Sequence, residues 1–233
     1  MTPDVRPASL VEPTTPQPRD DHENTDGEVA ASVFPQSVAS GGPTPTGVVL
    51  WTRLDPERYV TSRPVRVVVA RDEAFSDTVV DGYLPDEYLG DASDFTVRVD
   101  VDGALEPDSS YWFRFHHDGV TSRPGRCRTL PAPETSPESV RFAVLACQDY
   151  ENGYYGALAH VADEDVDFLL HLGDFIYEST ADLFKGRGSA RFPDRDPSLP
   201  SGNDLASTPR TSARSTERIV PTNSSSAHSN LTP

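Results

Sequence analysis

A succession of short β-type segments over residues 33–130, with no helical periodicity among them, is the feature that most limits the fold of this chain. In the segment "TVRVDV" apolar and polar residues alternate, which puts three valines on one face of a strand: Val97, Val99 and Val101. Similar segments, such as "VRVVVARD" and "SYWFRFHHDG", stand on either side of it, separated by turn-forming residues. The pattern predicts an antiparallel β-sandwich of about 100 residues, an ordinary size for one domain.

One short segment, "LEPDSSY", makes the type of sandwich more specific. Four of its residues occur at every second position: Leu105, Pro107, Ser109 and Tyr111. This is the spacing of a tyrosine corner, in which the tyrosine hydroxyl ties down a loop that crosses between the two sheets. The pattern is typical of immunoglobulin-like and fibronectin type III-like sandwiches, and such a sandwich has no chemistry of its own.

After a predicted linker at residues 131–139, "PAPETSPES", the pattern changes to that of an α/β protein. The segments "VRFAVLACQ" and "VDFLLHLGD" are nearly continuously apolar, as expected of strands that are buried on both faces. Between them, "GYYGALAHVADED" has three apolar residues at helical spacing: Tyr154, Leu158 and Val161. The order predicts a β-α-β unit with two parallel strands and a right-handed connection.

Both predicted strands end in a potential metal ligand, Cys147 on the first and Asp174 on the second, and Tyr177 follows in the next loop. Functional residues gather beyond the carboxyl ends of parallel strands, so these side chains should lie together. A thiolate, a carboxylate and a phenolate suit a highly charged cation such as ferric iron better than zinc. A packing role for the cysteine and the tyrosine fits the residues as well, and both interpretations stay open.

Three histidines are considered in addition to these potential metal ligands. His171 lies inside the second strand, where a hydrogen-bonded core histidine and a role behind the ligands fit equally well. His116 and His117 are predicted to be surface positions on a sandwich strand. The sequence contains no glycine-rich phosphate loop, dinucleotide fingerprint or nucleophile elbow that would favour another reaction.

Charge and composition exclude several classes of partner. The net charge of -17 makes nucleic-acid binding unlikely on physical grounds, because phosphate binding needs a positive surface. No stretch approaches the roughly 20 apolar residues needed to span a bilayer. The first residues contain no signal peptide and no twin arginine, which predicts that the chain stays in the cytoplasm. Lys185 is the only lysine, and an acidic, lysine-poor surface predicts a halophilic source or a GC-rich genome.

Both ends of the sequence are predicted to be disordered. Residues 1–32 are rich in proline, threonine and acidic residues, and their "DDHE" segment is interpreted as a solvated acidic run rather than a metal cluster. Residues 185–233 carry seven basic and four acidic side chains, against the acidic balance of the rest. This reversal of charge leads us to expect a frameshift near Ala206 or a truncated gene.

Taken in order, "FPQSVASGGPTPTGVVLWTRL", a sandwich, and "FAVLACQDYENGYYGALAHVADEDVDFLLHLGDFIYE" resemble the alkaline phosphatase D (PhoD-like) family of metallophosphoesterases. The resemblance implies a fibronectin-like domain over residues 33–130 and the start of an αββα, calcineurin-like metallophosphatase domain over residues 140–184. It also implies hydrolysis of phosphomonoesters and phosphodiesters with Fe3+ and Ca2+. Cys147 and Tyr177 resemble the iron ligands of the family, and Asp174 resembles the carboxylate that bridges iron to calcium.

The sequence departs from the family pattern at two places. The pair "SGGP" stands where the family often has Gly-Asp, a change that should not affect catalysis. The later family ligands, an Asp-Asp-His-Glu segment followed by Asn and His residues, do not appear after Glu178. We therefore expect a truncated, inactive fragment of a phosphoester hydrolase whose relatives are often exported. The alternative is a non-catalytic β-sandwich binding module.

Overall fold

The computed structural model describes residues 10–11, 27–85, 88–148 and 155–177. The chain divides into two compact units, with a boundary between Ser136 and Pro137, inside the segment predicted to be a linker. The "DDHE" segment and the predicted disordered tail lie outside the described residues.

The regular elements of the first unit are mainly antiparallel strands, as the alternating segments predict. Its strands in chain order are β1 (Val38–Gly41), β2 (Val49–Arg53), β3 (Arg66–Ala70), β4 (Thr78–Tyr83), β5 (Thr96–Asp100), β6 (Ser110–His117), β7 (Val120–Thr121) and β8 (Gly125–Arg128). One sheet has the order β1-β2-β5, and the other has the order β4-β3-β6-β7 with β8 also paired to β6. All these pairings are antiparallel.

A single hydrophobic core takes side chains from both sheets of the first unit. The valines predicted to share one face are at most 4% exposed: Val97 and Val99 of β5, and Val101 directly after it. They belong to the same cluster as the inward side chains of the second sheet, among them Val67, Val69, Phe113 and Phe115. Between the valines, Arg98 is half-buried and Asp100 is exposed. The predicted alternation is confirmed, since successive side chains of a strand point to opposite faces of its sheet.

The loop between β5 and β6 carries the chain from one sheet to the other and contains the predicted tyrosine hydrogen bond. Tyr111 is 1% exposed, and its hydroxyl oxygen accepts a hydrogen bond from the backbone N–H of Glu106 at 2.9 Å. A buried backbone donor needs such a partner, because its desolvation is otherwise uncompensated. The spacing of "LEPDSSY" therefore predicted a real contact.

The prediction that His116 and His117 lie on the surface is wrong. The two side chains are 3% and 1% exposed. His117 stacks on Tyr59 with ring centroids 5.3 Å apart, and its Nε2 accepts the backbone N–H of Val60 at 3.0 Å. His116 Nδ1 lies 2.9 Å from the hydroxyl oxygen of Thr121 on β7. Burial is possible because each imidazole keeps one polar partner.

The predicted disorder of residues 1–32 is also wrong for part of that segment. Residues 27–33 form helix α1 (Gly27–Val33), which buries Ala30 and Val33, three positions apart on one helical face. Val11 pairs with Tyr83 of β4 through two backbone hydrogen bonds of 2.8 and 3.0 Å. Burial of apolar side chains stabilises this short helix, whose length alone would leave it marginal in water. Residues 1–9 and 12–26 lie outside the described ranges.

The second unit consists of β9 (Phe142–Leu145), α2 (Gly156–Asp163) and β10 (Phe168–His171). The two strands are parallel, in register from the pair Phe168 and Phe142 to the pair His171 and Leu145, which confirms the predicted order and direction. In the described part of the chain, no helix has the length and apolar composition needed to span a membrane.

The prediction that both strands are buried on both faces is wrong for this chain. Phe142 and Val144 of β9 are each 50% exposed, and Leu169 and Leu170 of β10 are 45% and 44% exposed. Among the described residues each of these strands pairs only with the other. An apolar composition indicates what a strand can bury, but burial requires neighbouring layers, and here the apolar side chains stay accessible.

Candidate metal centre

The parallel pairing of β9 and β10 brings the two chain segments that follow them to the same edge of the sheet. Backbone hydrogen bonds continue past the strands: the Cys147 N–H donates to the Gly173 carbonyl at 3.1 Å, and the Gln148 N–H donates to the Asp174 carbonyl at 2.8 Å. Since both bonds join the same two loops, Cys147 and Asp174 are held side by side. This is the arrangement expected from a parallel β-α-β unit.

The backbone of both loops is strained at the residues that carry the functional groups. Cys147 has φ 60° and Asp174 has φ 53°, which places both in the left-handed region, while Gly173 between the strand and Asp174 has φ 128°. A non-glycine residue in that region costs about 1 kcal/mol or more and persists only where other interactions impose it. The two hydrogen bonds between the loops are interactions of that kind.

All three sequence-predicted residues come together at one carboxylate oxygen. The Cys147 thiol lies 3.4 Å from Asp174 Oδ2, and the Tyr177 hydroxyl lies 3.4 Å from the same oxygen. Both groups act as hydrogen-bond donors to this shared acceptor. Cys147 and Asp174 are exposed and Tyr177 is half-buried, so solvent reaches the cluster.

The neighbours of Tyr177 make its phenol harder to ionise. The neighbouring Cys147 side chain raises the pKa of Tyr177 to about 12, together with partial desolvation and the negative charge of Asp174. A cation placed among the three groups would reverse this effect, since it favours the anionic form of each ligand. The cluster thus contains two protons that a metal ion could replace.

The donor atoms of the three side chains determine which metal ion they could hold. Within the described residues no three His, Cys, Asp or Glu side chains lie together as a metal cluster. At this edge the third donor is a phenol, and the set is one sulfur and two kinds of oxygen around Asp174 Oδ2. Such a set favours a highly charged cation that stabilises phenolate and thiolate, and the residues fit ferric iron better than zinc.

Two further polar residues, Gln148 and His171, lie in the two chain segments that carry the cluster. No motif of the sequence indicated a role for Gln148. Gln148 is 9% exposed, and its Oε1 has no hydrogen-bond partner among the described residues. The feature of the sequence that could have identified Gln148 as a site residue is its position directly after Cys147. His171, the last residue of β10, accepts the backbone N–H of Gly173 on Nδ1 at 3.3 Å.

Comparison with known proteins relates both units to one kind of enzyme. Residues 20–131 match the family profile described as "PhoD-like phosphatase, N-terminal domain", and residues 142–204 match the profile described as "PhoD-like phosphatase". Together the two profiles cover about three quarters of the chain. The second match contains all three residues of the cluster, and both matches extend beyond the segments whose resemblance was recognised from the sequence.

Individual relatives agree with the profiles. Alkaline phosphatase D of Bacillus subtilis (strain 168) is 41% identical over 151 residues, which are 62% of this chain and 25% of that protein. A solved structure described as "Structure of PhoD" is 40% identical, with a TM-score of 0.58, and the match covers 64% of this chain and 29% of that chain. The chain therefore spans about a quarter of the length of the curated relative.

Proposed function

Since this chain belongs to the PhoD-like phosphatase family, we propose that it provides the first metal-binding elements of a phosphoester hydrolase acting on phosphomonoesters or phosphodiesters. The observation that carries the proposal is the convergence of the Cys147 thiol and the Tyr177 phenol on Asp174 Oδ2, each at 3.4 Å. The cluster is consistent with the family. A phosphatase needs a positively charged centre for its anionic substrate, and these three side chains could hold the metal ion that supplies the charge.

In this proposal Cys147 and Tyr177 would hold ferric iron, and the Asp174 carboxylate would contribute to binding both the iron and a calcium ion. When bound, the metals supply Lewis-acid chemistry, polarising a phosphate oxygen and neutralising developing charge. Asp174 presents Oδ2 toward both other donors, and the open edge of the sheet leaves an approach for a phosphoester. The left-handed backbone of Cys147 and Asp174 holds these donors in place before any ligand arrives.

We also propose that the first unit is a fibronectin type III-like sandwich and that the second begins a calcineurin-like αββα domain. Two antiparallel sheets around one core and the hydrogen bond to Tyr111 support the former. The parallel pair β9 and β10 with α2 between them supports the latter. A two-metal site needs donors from several strands, and among the described residues the cluster takes its donors from two strand ends. We therefore expect the 233-residue polypeptide to bind iron without turning over phosphoesters.

Metal content and hydrolysis in the 233-residue protein test the proposal together. Purified protein, Asp174→Ala and the control Asp165→Ala, whose side chain is 94% exposed, are equilibrated with Fe3+ and Ca2+ and measured by elemental analysis. We expect bound iron in the unaltered protein and in Asp165→Ala, and its loss in Asp174→Ala. Equal iron in all three proteins would refute the proposed ligand set.

The same three proteins are then assayed with a chromogenic phosphomonoester and phosphodiester. Turnover above the metal-only blank that disappears in Asp174→Ala but not in Asp165→Ala would establish the phosphoesterase. It would also show that two strand ends suffice, against our expectation.

A non-catalytic β-sandwich module is the second candidate. The observation that favours it is a contrast: the first unit has a core of its own, whereas the apolar strands β9 and β10 of the second unit are exposed. A protein that folds fully and retains no iron would favour this alternative, because the sandwich alone presents no comparable cluster in the described residues.

A further inference from the structure

The turn that follows β10 is closed by a side chain rather than by the backbone alone. Nδ1 of His171 accepts the backbone N–H of Gly173 at 3.3 Å, a contact between residues two positions apart. Side chains that accept a nearby backbone N–H in this way define tight turns. The imidazole can thus restrain the orientation of the peptide group between Leu172 and Gly173.

Gly173 then connects this turn to the loop after β9. Its carbonyl accepts the Cys147 N–H at 3.1 Å, so a continuous path runs from the imidazole through the backbone of Gly173, with its φ and ψ, to Cys147. Gly173 has φ 128°, a conformation that residues with a Cβ rarely adopt, and the next residue, Asp174, is in the left-handed region. A turn in this conformation needs an external restraint, and the imidazole provides one.

Packing alone does not account for a histidine here. The ring makes an edge contact with Phe175, with centroids 5.2 Å apart, which a phenylalanine ring could also make. Its Nε2 is shielded from solvent and has no hydrogen-bond partner among the described residues. Because Nδ1 acts as acceptor, the neutral ring carries its hydrogen on this unpartnered Nε2, which is unfavourable. The favourable polar contact of the ring is its bond to Gly173.

We infer that His171 is a positioning residue, whose Nδ1 fixes the Gly173 turn and thereby holds Asp174 against Cys147 and Tyr177. The purpose of this positioning rests on the proposed metal site, but the geometry does not. Of the two roles that the sequence leaves open for His171, a core histidine and a residue that supports the ligands, this is the second. His171 has this role in the protein before any metal is bound.

Amide hydrogen exchange of the metal-free, 233-residue protein tests the inference with two matched variants. His171→Phe keeps an aromatic ring against Phe175 and removes the acceptor, whereas His171→Asn loses the ring and keeps an acceptor near the position of Nδ1. The amides of Gly173 and Cys147 report on the turn. The amide of Leu172, which donates to the Leu145 carbonyl at 2.8 Å, is the control, because this bond extends the strand pairing and does not involve the imidazole.

We expect exchange at Gly173 and Cys147 to become faster in His171→Phe by about fivefold or more, the factor expected when one hydrogen bond is lost. The Leu172 amide should keep its rate, and His171→Asn should restore slow exchange at the two reporting amides. Unchanged rates in His171→Phe, or equal acceleration of all three amides, would assign His171 to packing and overturn the inference. Because no metal is present, a failure to bind iron would count against the proposed function and leave this result intact.

Discussion

The backbone N–H of Glu106 donates a hydrogen bond to the hydroxyl oxygen of Tyr111 over 2.9 Å, joining the loop between β5 and β6 to the buried face of β6. The hydroxyl lies on a side chain that is 1% exposed, so water has little access to replace it. This hydrogen bond is therefore one of the contacts that fix the loop where the chain crosses between the two sheets.

Tyr111→Phe should lower the free energy of unfolding of the first unit by about 1 kcal/mol or somewhat more, because it leaves the Glu106 N–H without its partner. Chemical denaturation measures the change. Tyr83→Phe is the matched control, since Tyr83 is a half-buried strand tyrosine for which no hydroxyl hydrogen bond occurs in the described structure. Equal destabilisation by the two substitutions would show that the corner hydrogen bond contributes nothing of its own.

Gly47→Ala should be among the most destabilising small substitutions in the first unit. A Cβ at this position would lie 2.2 Å from the Asp102 Cα, in a turn that Thr44 and Thr46 tie to the Asp102 carboxylate by hydrogen bonds of 2.5 and 2.8 Å. Relief of the overlap requires backbone movement, which costs about 2 kcal/mol.

Gly41→Ala is the control for this substitution, because a Cβ on Gly41 of β1 would meet nothing within 4 Å. We expect it to stay within about 0.5 kcal/mol of the unaltered protein in thermal denaturation. Similar melting temperatures for the two alanine variants would mean that the turn at Gly47 adapts more easily than its contacts indicate.

The first unit should lose stability in mild acid because of its buried histidines. Burial, reinforced by the positive charges of Arg114 and Arg66, lowers the pKa of His116 to about 3. In the unfolded chain the pKa is about 6.5, so between these values the unfolded state binds a proton that the folded state does not. The contribution is complete above pH 6.5 and falls by about 1.4 kcal/mol per pH unit as the pH drops toward 3.

His116→Asn removes the titrating group and keeps a side chain that can form a hydrogen bond with Thr121, and it should reduce the pH dependence of unfolding between pH 6.5 and about 4.5. Part of the dependence should remain, because burial lowers the pKa of His117 as well. His160→Asn, an exposed position on α2 outside the first unit, is the control and should leave the dependence of that unit unchanged. Identical slopes for the unaltered protein and His116→Asn would contradict the assignment.

If ferric iron binds, Tyr177→Phe should bleach or shift its visible charge-transfer band. The phenol lies 3.4 Å from Asp174 Oδ2, within reach of a cation at that oxygen, and phenolate–iron bonds absorb visible light. Titration with Fe3+, followed by removal with a chelator, gives the band and its reversal. Tyr83→Phe again serves as control, and an unchanged spectrum in Tyr177→Phe would return this residue to a packing role.

Much of this fold could be predicted because local patterns reflect local geometry. The alternation in "TVRVDV" placed Val97 and Val99 in the core, and the spacing of "LEPDSSY" identified the hydrogen bond to Tyr111. The approach of Cys147 to Asp174 followed from the parallel order of two strands with one helix between them. Each of these inferences depends on periodicity or chain order, which are properties of the sequence.

The features that escaped prediction depend on contacts between distant segments. His117 is buried because a loop 57 residues away supplies the Val60 amide, and nothing near His117 in the sequence indicates this. The left-handed backbone of Cys147 and Asp174 is imposed by hydrogen bonds between two loops, against the intrinsic preference of both residues. Phe142 and Leu170 are exposed because β9 and β10 pair only with each other among the described residues, and the composition of a strand does not indicate which neighbours it has.

The two cysteines differ in exposure, and a thiol-directed reagent should therefore react selectively with one of them. Cys127 is 5% exposed, and desolvation raises the pKa of its thiol to about 12, so almost no reactive thiolate forms there at neutral pH. Cys147 is exposed at the edge of the sheet, beside Asp174. A thiol-directed fluorophore or spin label should attach at this one place without any substitution, so that an ion competing for the sulfur can be followed by how far it protects the protein from labelling.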